Sequence, residues 1–426
     1  MAKTLKAVRG MRDTLPLQVQ QYQRIESHIR ALMRSYDYDE VRLPILEPTE
    51  LFKRSVGEET DIVGKEMYSF LSRSDESLTL RPEGTAGCMR AGIEHGAFYN
   101  QTQKWWYLGP MFRYERPQKG RYRQFHQWGV EVVGIEGPSI EAEIIQLCAR
   151  LWQALGLQDA ITLQINSLGT LDCRLRYRTL LKTHFKRAND QLSDDEKERL
   201  ERNPLRLLDS KNPVLAELIA SAPKLHDHLS DNAKAKYDTF AQMLTDSGIA
   251  FTHNPHLVRG LDYYQHTVFE WVTDALGAQN AVAAGGRYDG LVEQLGGHPT
   301  SAVGFAMGME RIAEMLGEDR HHKQVDVGVF ILDESVVRPA FAWVESLRSL
   351  LGEQVIIAAD HQGGSLKSQH KRADRMNARF TLFIDGESWA KQSLLVRSVN
   401  NKSAPKAISC DGIAAWLLQQ LTQEDA

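Results

Sequence analysis

The chain has 426 residues, of which 42% are hydrophobic and 25% charged, as in ordinary globular proteins. This length predicts two or three domains, because single cores rarely extend beyond about 250–300 residues. No stretch approaches the roughly 20 consecutive apolar residues of a membrane-spanning helix, so we expect no membrane partner. The net charge of −4 excludes attraction of nucleic acid by the overall field, so such contacts would need local basic patches.

The N-terminal residues and the cysteines indicate the compartment. MAKTLKAVRGMRD lacks the apolar core of a signal peptide, which predicts a cytoplasmic protein. The cysteines are scattered and form no CxxC pair: Cys88, Cys148, Cys173 and Cys410. This spacing argues against a disulfide framework and a structural zinc site, and it fits a reducing cytoplasm.

The first part of the chain alternates between helical and strand patterns. Residues 17–36 carry apolar side chains at helical spacing, and VRLPILEP (41–48) alternates like a strand in which Pro44 ends the ladder pairing. KWWYLGPMFRYE and RYRQFHQWGVEVVG, separated by RPQKG, predict a hairpin of two long strands. SLTLRPEG is another strand candidate. We therefore expect an α+β fold with an antiparallel sheet flanked by helices.

The middle of the chain changes character. Charged, helical segments with proline and glycine breaks predict a mainly helical insertion at about 172–252. Strand patterns return at 257–271 and 280–284. AVGFAMGMERIAEMLGE then passes from a strand into a helix.

The end of the chain predicts a separate unit. Apolar runs and helical segments alternate after about residue 325, which predicts a small α/β domain with a mixed or parallel sheet. HHKQ (321–324) is the predicted linker. The expected domains are therefore 1–322, which contains the insertion, and 325–426.

The loop of the predicted hairpin concentrates positive charge. Five cations lie within eleven residues: Arg113, Arg116, Lys119, Arg121 and Arg123. Most such runs are solvated loop tips, but cations this close repel one another unless an anion lies among them. Tyr122 and Phe125 add flat faces suited to stacking a base. We predict a site for an anionic, base-bearing ligand.

The second strand of the hairpin has two different faces. Alternation places Gln127, Gly129 and Glu131 on one face, whereas Trp128 and Val130 lie on the apolar face. A buried carboxylate without a partner is costly, so Glu131 needs a cation or a donor. An ion pair with a neighbouring arginine is the structural alternative. We favour the floor of a pocket for a small, polar, cationic ligand, with a hollow at Gly129.

Two other segments combine glycine with charged residues. LRPEGTAG (80–87) places Glu83 and Thr85 beside two glycines, although Arg81 and Glu83 could simply pair. GFAMGMER places Arg311 in the first turn of a helix, where both the helix N-terminus and the guanidinium favour phosphate. Taken alone, either segment also has an ordinary structural explanation.

RGLDYY and GGRYDG repeat one theme. They place Arg259, Tyr264, Arg287 and Tyr288 beside glycines, which let a ligand approach the backbone closely. A guanidinium offers a two-pronged contact to phosphate or carboxylate. Half-buried packing is the alternative for the tyrosines.

Together these segments resemble one known family. FRYE…RYRQFHQ is similar to motif 2 of class II aminoacyl-tRNA synthetases, GFAMGMER to motif 3, and YDYDEVRLPILEP to motif 1. RGLDYY and AAGGRYDGL resemble the two signature peptides of histidyl-tRNA synthetases. The resemblance extends from VRGMRD to GGSLKSQHKRAD and covers nearly the whole chain.

The resemblance implies the architecture and the reaction. The first domain would be a class II catalytic core that dimerises through motif 1, and the second an α/β anticodon-binding domain. The implied enzyme is an ATP-dependent histidine–tRNA ligase. It would form histidyl-adenylate and pyrophosphate from L-histidine and ATP with Mg²⁺, and then transfer histidine to the 3′ end of tRNA(His). The resemblance assigns no Mg²⁺ ligands.

The resemblance also implies the ATP site. Arg113 would hold the α-phosphate, Phe125 would stack on adenine, and Arg121 and Arg311 would bind the outer phosphates. Arg259 would be the catalytic cation at the α-phosphate, where other enzymes of this class place a metal ion. A preorganised arginine can stabilise the charge that develops there during the reaction.

For histidine, the resemblance implies a pocket on the same sheet. The amino group would be bound by Glu83, Thr85 and Gln127. Glu131 and Tyr264 would bind the imidazole, with Tyr288 closing the pocket. Such a site leaves polar groups unpaired with any other side chain, so we expect no editing domain.

Contacts with tRNA are implied for both domains. The implied residues are Arg116, Gln118, Arg123, Lys367, Lys371 and Arg372. This chain has Leu366 and Ser368 where the family pattern has a bulky aromatic and a second basic residue, which departs from the family's anticodon contact.

Two other functions are alternatives. A regulatory paralogue that partners an ATP phosphoribosyltransferase binds histidine without charging tRNA. Such paralogues usually lack the C-terminal domain and parts of the signature peptides, which are present here. A synthetase for glycine, threonine or proline shares the type of C-terminal domain, but RGLDYY together with Glu131 argues against it.

Overall fold

The structure, a computed structural model, describes residues 4–57, 60–208, 210, 212–261, 263–277, 281–317, 325–398 and 405–424. The chain forms two compact units, Met1–Asp319 and Arg320–Ala426. The predicted linker at 321–324 lies outside the described residues. Within the described part, no helix has both the length and the apolar composition needed to cross a membrane.

The strands occur in both units. In chain order they are β1 (Asp39–Glu40), β2 (Leu46–Pro48), β3 (Tyr68–Leu71), β4 (Ser77–Leu80), β5 (Gln103–Phe112), β6 (Gln124–Val133), β7 (Thr162–Ser167), β8 (Phe251–His253), β9 (Gln265–Val272), β10 (Ala281–Arg287), β11 (Ala302–Gly308), β12 (Val327–Ile331), β13 (Ile357–Asp360), β14 (Phe380–Ile384), β15 (Ser393–Ser398) and β16 (Lys406–Ser409).

The helices separate most of these strands. In chain order they are α1 (Pro16–Ser35), α2 (Thr49–Val56), α3 (Thr85–Glu94), α4 (Pro138–Leu155), α5 (Leu171–Lys186), α6 (Asp194–Arg202), α7 (Ala216–Ala220), α8 (Asp231–Asp246), α9 (Leu291–Gln294), α10 (Met309–Leu316), α11 (Val337–Leu351), α12 (Leu366–Met376), α13 (Gly386–Ala390) and α14 (Ile413–Glu424).

A large sheet organises the first unit. Its strand order is β1-β5-β6-β11-β10-β9-β7-β8, antiparallel except for the pairs β1–β5 and β7–β8 at its two edges. The predicted hairpin is β5 and β6, which pair antiparallel along their whole length. The α+β fold with a flanked antiparallel sheet is confirmed.

The alternation in β6 decides which face of the sheet is covered. Trp128 and Val130 lie in a core with the buried faces of α1 and α4. Trp128 packs edge-on against Phe305 of β11, with ring centroids 4.9 Å apart. Because these bulky side chains all point one way, Gln127 and Glu131 lie on the opposite face of the sheet.

Two of the predicted strands are shorter than expected. VRLPILEP does not form one strand, because β1 ends at Glu40, β2 begins at Leu46, and Pro44 lies in the gap without an N–H to donate. The strand predicted at 257–271 begins only at Gln265. The residues before it form a loop, and this loop carries Arg259.

The predicted helical insertion contains α5 to α8 and merges with the sheet at its end. Tyr237, Phe240 and Leu244 of α8 belong to the same core as α1 and α4. The strand β8 then pairs with β7 at the sheet edge. The helix α8 is therefore part of the packing of the large sheet.

The second unit has a mixed sheet, as predicted. The strand order is β13-β12-β14-β15-β16, with β12 parallel to both of its neighbours and the last two pairs antiparallel. The helices α11 and α14 supply apolar residues to its core. The strand β16 was not predicted from the sequence.

Candidate active site

A cavity of about 260 Å³ in the first unit brings most of the predicted site residues together. They come from the start of α3, the β5–β6 hairpin, the loop before β9, and the β11–α10 junction. The predicted residues that line it are Glu83, Thr85, Arg113, Arg121, Phe125, Gln127, Arg259, Tyr264 and Arg311. Segments more than 200 residues apart in the chain therefore share one site.

Next to Thr85, at one end of the cavity, lies the carboxyl group of Glu131, which is only 1% exposed and is not among the residues that line the cavity. It accepts hydrogen bonds from Thr85 Oγ1 at 2.6 Å, Tyr107 Oη at 3.2 Å, and Tyr288 Oη. Burial raises the pKa of Glu131 to about 8. Hydroxyl donors thus satisfy the buried carboxyl group, in place of the arginine that the structural alternative required.

The predicted hollow at Gly129 is filled by a tyrosine. Tyr107 pairs across the hairpin with Gly129, and a Cβ at Gly129 would lie 2.1 Å from its Cζ. A Cβ at Gly84 would lie 2.2 Å from the same ring. The two glycines therefore let Tyr107 reach Glu131. The prediction of an empty space at Gly129 was wrong, because the ring of Tyr107 fills it.

Two further residues near Glu131, Glu83 and Gln127, present hydrogen-bond acceptors at this end of the cavity. Glu83 accepts hydrogen bonds from the backbone N–H groups of Thr85, at 2.7 Å, and Ala86, at 3.0 Å, which caps the start of α3. Gln127 Oε1 is buried without a hydrogen-bond partner. Arg81 donates to backbone carbonyls, including Leu43 O at 2.8 Å, so it is not the structural partner of Glu83.

The other end of the site concentrates positive charge. Arg113, Arg121, Arg259 and Arg311 all line the cavity. Burial, together with repulsion from Arg121 and Arg113, lowers the pKa of Arg311 to about 10. Guanidinium groups that disfavour one another in this way define a site for an anion of high charge.

Acidic and aromatic side chains orient these arginines. Arg259 Nη1 pairs with Glu270 Oε1 at 2.5 Å, while its Nε has no hydrogen-bond partner. Arg121 pairs with Glu115. Arg113 donates from Nε to the carbonyl of Pro82 at 2.8 Å, and its guanidinium lies 5.4 Å from the ring of Phe125. The cations are therefore held in place before a ligand arrives.

Arg287 lies outside the cavity, although its motif resembles that of Arg259. Its guanidinium contacts both carboxylate oxygens of Glu141, at 2.7 and 2.8 Å, and pairs with Asp289 at 3.0 Å. The two-pronged contact expected for a ligand is thus made to a buried acid of α4. Its neighbour Tyr288 supports Glu131 from outside the cavity lining.

The residues of the hairpin loop that the family resemblance implies for tRNA binding differ in their surroundings. Arg116 and Gln118 are exposed on the hairpin loop. Arg123 donates to the carbonyls of Glu115 and Arg9, each at 3.2 Å, and lies 3.7 Å from the ring of Tyr114. Arg123 is therefore part of the scaffold of the loop.

In the second unit, the implied residues lie on α12. Lys367 and Lys371 are exposed. Arg372 instead pairs with Asp360 of β13 at 2.6 Å. The two lysines are thus the members of this set that are open to an external anion.

Sequence reasoning missed several residues of the site. Tyr263 is 6% exposed, lines the cavity, and packs between Tyr264 and Tyr288 at centroid distances of 4.7 and 5.4 Å, with its ring tilted by 48° and 65° to theirs. It belongs to RGLDYY, so the motif itself carried the signal. Tyr107 was predictable from the hairpin register, but nothing local in the sequence identified Glu270 as the partner of Arg259.

The donor set does not fit a resident metal ion. Among the described residues, no group of three or more His, Cys, Asp or Glu side chains is placed to bind a metal. Of the acids that line the cavity, Glu270 is paired with Arg259, and Glu310 accepts from the backbone N–H and ring Nδ1 of His126.

A helix-flanked antiparallel sheet with arginines at one end of its cavity and a carboxyl–hydroxyl pocket at the other defines a class II aminoacyl-tRNA synthetase. The comparisons with known proteins agree. A family model described as histidyl-tRNA synthetase matches residues 10–312. S. aureus histidyl-tRNA synthetase in its apo form is 34% identical, with a TM-score of 0.81 over 97% of this chain and 100% of that one. The chain belongs to the histidyl-tRNA synthetase family.

Two other solved structures are similar in fold. Histidyl-tRNA synthetase from Nostoc sp. PCC 7120 has a TM-score of 0.69 and 17% identity, over 98% of this chain and 100% of that one. A Bacillus halodurans protein described as an ATP phosphoribosyltransferase regulatory subunit/histidyl-tRNA synthetase has a TM-score of 0.66 and 22% identity, over 91% and 100%. At these identities the likeness supports the fold alone.

Membership of the family confirms the predicted enzyme class and reaction. The chain is an ATP-dependent histidine–tRNA ligase, which activates histidine as the adenylate and then transfers it to tRNA. The regulatory paralogue and the glycine, threonine and proline synthetases are set aside.

Proposed function

We propose that histidine and ATP meet in the cavity of the first unit, and that Arg259 is the catalytic cation of histidine activation. The observation that carries this assignment is the convergence of two chemically opposite ends in one cavity. Glu83 and the unpartnered Gln127 Oε1 lie at one end, and four arginines at the other, where Arg311 is repelled by the other three. A ligand pair that is cationic at one end and polyanionic at the other fits this distribution.

At the acidic end, the amino group of histidine is bound by Glu83, Thr85 and Gln127. The ammonium group supplies the donor that Gln127 Oε1 lacks. The imidazole lies between Glu131 and Tyr264, and replaces one of the hydroxyl donors to the Glu131 carboxyl group. An amino acid without ring nitrogens cannot replace the displaced hydroxyl donor, so a buried polar group is left unpaired when its side chain enters the pocket, which costs roughly 10⁴–10⁵ in specificity.

At the basic end, the triphosphate of ATP is bound by the arginines. Arg113 contacts the α-phosphate, and Arg121 and Arg311 contact the outer phosphates. Burial and the neighbouring guanidinium groups lower the pKa of Arg311, and phosphate binding offsets the repulsion among these groups. Phe125 stacks on adenine. We propose that Mg²⁺ enters with ATP, held by phosphate oxygens, because the described acids of the cavity are already engaged.

Activation then requires no side-chain nucleophile. A carboxylate oxygen of histidine attacks the α-phosphorus, and the bond from this phosphorus to the bridging oxygen of the β-phosphate breaks, so pyrophosphate leaves. Arg259 stabilises the charge on the α-phosphoryl oxygens. The rest of the rate enhancement comes from holding the two reacting groups in line. In the second step a terminal ribose hydroxyl of tRNA attacks the carbonyl carbon, and AMP leaves.

ATP–pyrophosphate exchange tests this assignment without tRNA. The purified protein is assayed with L-histidine and, separately, with glycine, threonine, proline and no amino acid. Exchange is expected with histidine alone. A folded protein that binds histidine and shows no exchange would contradict the assignment of the cavity and favour a regulatory role.

We propose that Lys367 and Lys371 contact the phosphate backbone of tRNA. Both are exposed on α12, and neither has an ion-pair partner in the described structure. Replacing both with glutamate is expected to weaken tRNA binding, to reduce the slope of log affinity against log salt by about 2, and to leave adenylate formation unchanged. Lys391→Glu, also in the second unit, is the control. Equal losses in charging and in adenylate formation would contradict this role.

We propose that the protein is a homodimer in which motif 1 and the adjoining small sheet form the interface. Cross-strand pairing in the sheet β2-β4-β3 places Leu46, Tyr68, Phe70 and Leu78 on one face, and Phe70 is 48% exposed. An exposed apolar face of this kind indicates a binding surface.

Replacing Phe70 with aspartate is expected to raise the dimer dissociation constant about 30-fold or more, because a charge would enter an apolar interface. Sedimentation velocity over a concentration series measures this shift. Leu350→Asp, at an exposed leucine of the second unit, should leave the mass unchanged. A Phe70→Asp protein that dimerises like the parent would place the interface elsewhere.

We propose a cytoplasmic location. The cysteines of the chain are buried and free. Free thiols of this kind fit a reducing compartment. Fractionation of the source cells with an antibody to the chain would test it.

A further inference from the structure

We propose that residues 9–12 act as a positioning strap, which holds the basic hairpin loop in place and thereby sets the affinity for ATP. The proposal rests on the assignment of the ATP site to this cavity. Residues 9–12 do not line the cavity, so their effect would be exerted through the loop.

The strap is hydrogen-bonded to the base of the loop. The backbone N–H of Arg123 donates to the carbonyl of Gly10 at 2.8 Å, and Arg123 Nη1 donates to the carbonyl of Arg9 at 3.2 Å. The carbonyl of Arg123 accepts from the N–H of Arg113 at 2.9 Å, which closes the hairpin loop. One residue thus connects the strap with both ends of the loop.

The strap also connects the loop to α1, and the loop residue Tyr122 is itself hydrogen-bonded to α10. The guanidinium of Arg12 lies 4.0 Å from the ring of Tyr122, and its side chain is hydrogen-bonded to Tyr22 of α1. The hydroxyl of Tyr122 donates to Glu314 of α10 at 3.3 Å. Tyr122 itself lines the cavity, next to Arg121. The position of these two residues therefore depends on where Arg12 holds the tyrosine.

The fit between strap and loop requires glycine at position 10. Gly10 has a φ of +86°, which other residues rarely adopt. A Cβ there would lie 2.8 Å from Cγ and Cδ of Arg123 and 2.9 Å from Cγ of Pro117. Any side chain would therefore push the strap away from the loop.

The physical consequence concerns the cost of ordering the loop. Five cations within eleven residues repel one another, which favours an open, mobile loop in the absence of a ligand. A loop that is ordered only on binding spends part of the binding free energy on ordering. The strap lowers this cost by holding Tyr122 at the cavity beforehand, next to Arg121, which is paired with Glu115.

The experiment compares Gly10→Val with Gly96→Val. Gly96 also has positive φ, at +64°, but no atom lies within 4 Å of a Cβ there, so it controls for backbone strain alone. Calorimetry gives the dissociation constants of ATP and of histidine separately, and exchange gives KM and kcat. We expect Gly10→Val to weaken ATP binding about tenfold and Arg12→Leu about threefold, with histidine binding near the parent value in both variants. Gly96→Val carries a similar backbone strain and should bind ATP and histidine like the parent.

Unchanged ATP affinity in both strap variants would overturn the proposal. So would a parallel loss of histidine binding, since that would make the segment a general structural element. A parent protein that binds ATP but shows no histidine-dependent exchange would contradict the assigned function. In that case the ratio of the ATP dissociation constants of the strap variants to that of the parent would still decide the role of the strap.

Discussion

Replacing Arg259 with alanine is expected to slow histidyl-adenylate formation by about 10²–10³ while histidine still binds. The guanidinium pairs with Glu270 at 2.5 Å and is therefore oriented before the reaction begins. A group held in this way stabilises the charge on the α-phosphoryl oxygens without reorganisation, so its loss affects the transition state more than the ground state. Single-turnover formation of the adenylate measures the rate, and calorimetry measures histidine binding.

The controls for this variant separate charge from structure. Arg259→Ala leaves Glu270 without its partner, so Glu270→Gln and the double variant are measured beside it. Arg121→Ala removes another cation of the same cavity and should mainly raise KM for ATP. If Arg259→Ala abolishes histidine binding as well, Arg259 is a structural residue of the pocket rather than the catalytic cation.

Replacing Glu131 with glutamine is expected to weaken histidine binding roughly 10- to 100-fold, with a smaller effect on kcat. The glutamine keeps the shape of the side chain, but Thr85 and Tyr288 donate to different carboxylate oxygens, so its single oxygen can accept from only one of them. It also cannot lose a proton to become charged when the imidazole binds. Calorimetry with histidine measures the loss. Glu136→Gln, at an exposed acid just beyond β6, is the matched control. Unchanged histidine affinity would place the imidazole elsewhere.

The same variant should change how stability depends on pH. Burial raises the pKa of Glu131 from 4.5 to about 8, so the folded protein keeps a proton that the unfolded chain releases. This contribution to stability is fully present below about pH 4.5 and is lost as the pH rises to about 8. The melting temperature of the parent should therefore fall relative to that of Glu131→Gln between about pH 4.5 and 8. Above this window the difference between the two melting temperatures should stay constant. A constant difference within the window would contradict the raised pKa.

The sequence by itself determined the β5–β6 hairpin, the two faces of β6 and the local setting of several charged residues. The alternation in 124–133 separates the face of Glu131 from the face of Trp128, and this separation depends only on the period of a strand. The positions of Arg259 and Arg311 beside glycines or a helix start are likewise local properties. Such features could be predicted because they depend on neighbours in the chain.

The pairing of these groups with partners was decided only by the tertiary structure. Arg259 and Arg287 occur in similar motifs, yet Arg259 faces the cavity with Glu270, and Arg287 is bound by Glu141 of α4. The space at Gly129 is filled by Tyr107 from the facing strand. A guanidinium binds whichever carboxylate the fold brings within about 3 Å, and that distance depends on segments far apart in the chain. Local pattern therefore predicted candidate residues for the chemistry, and packing decided which of them line the cavity.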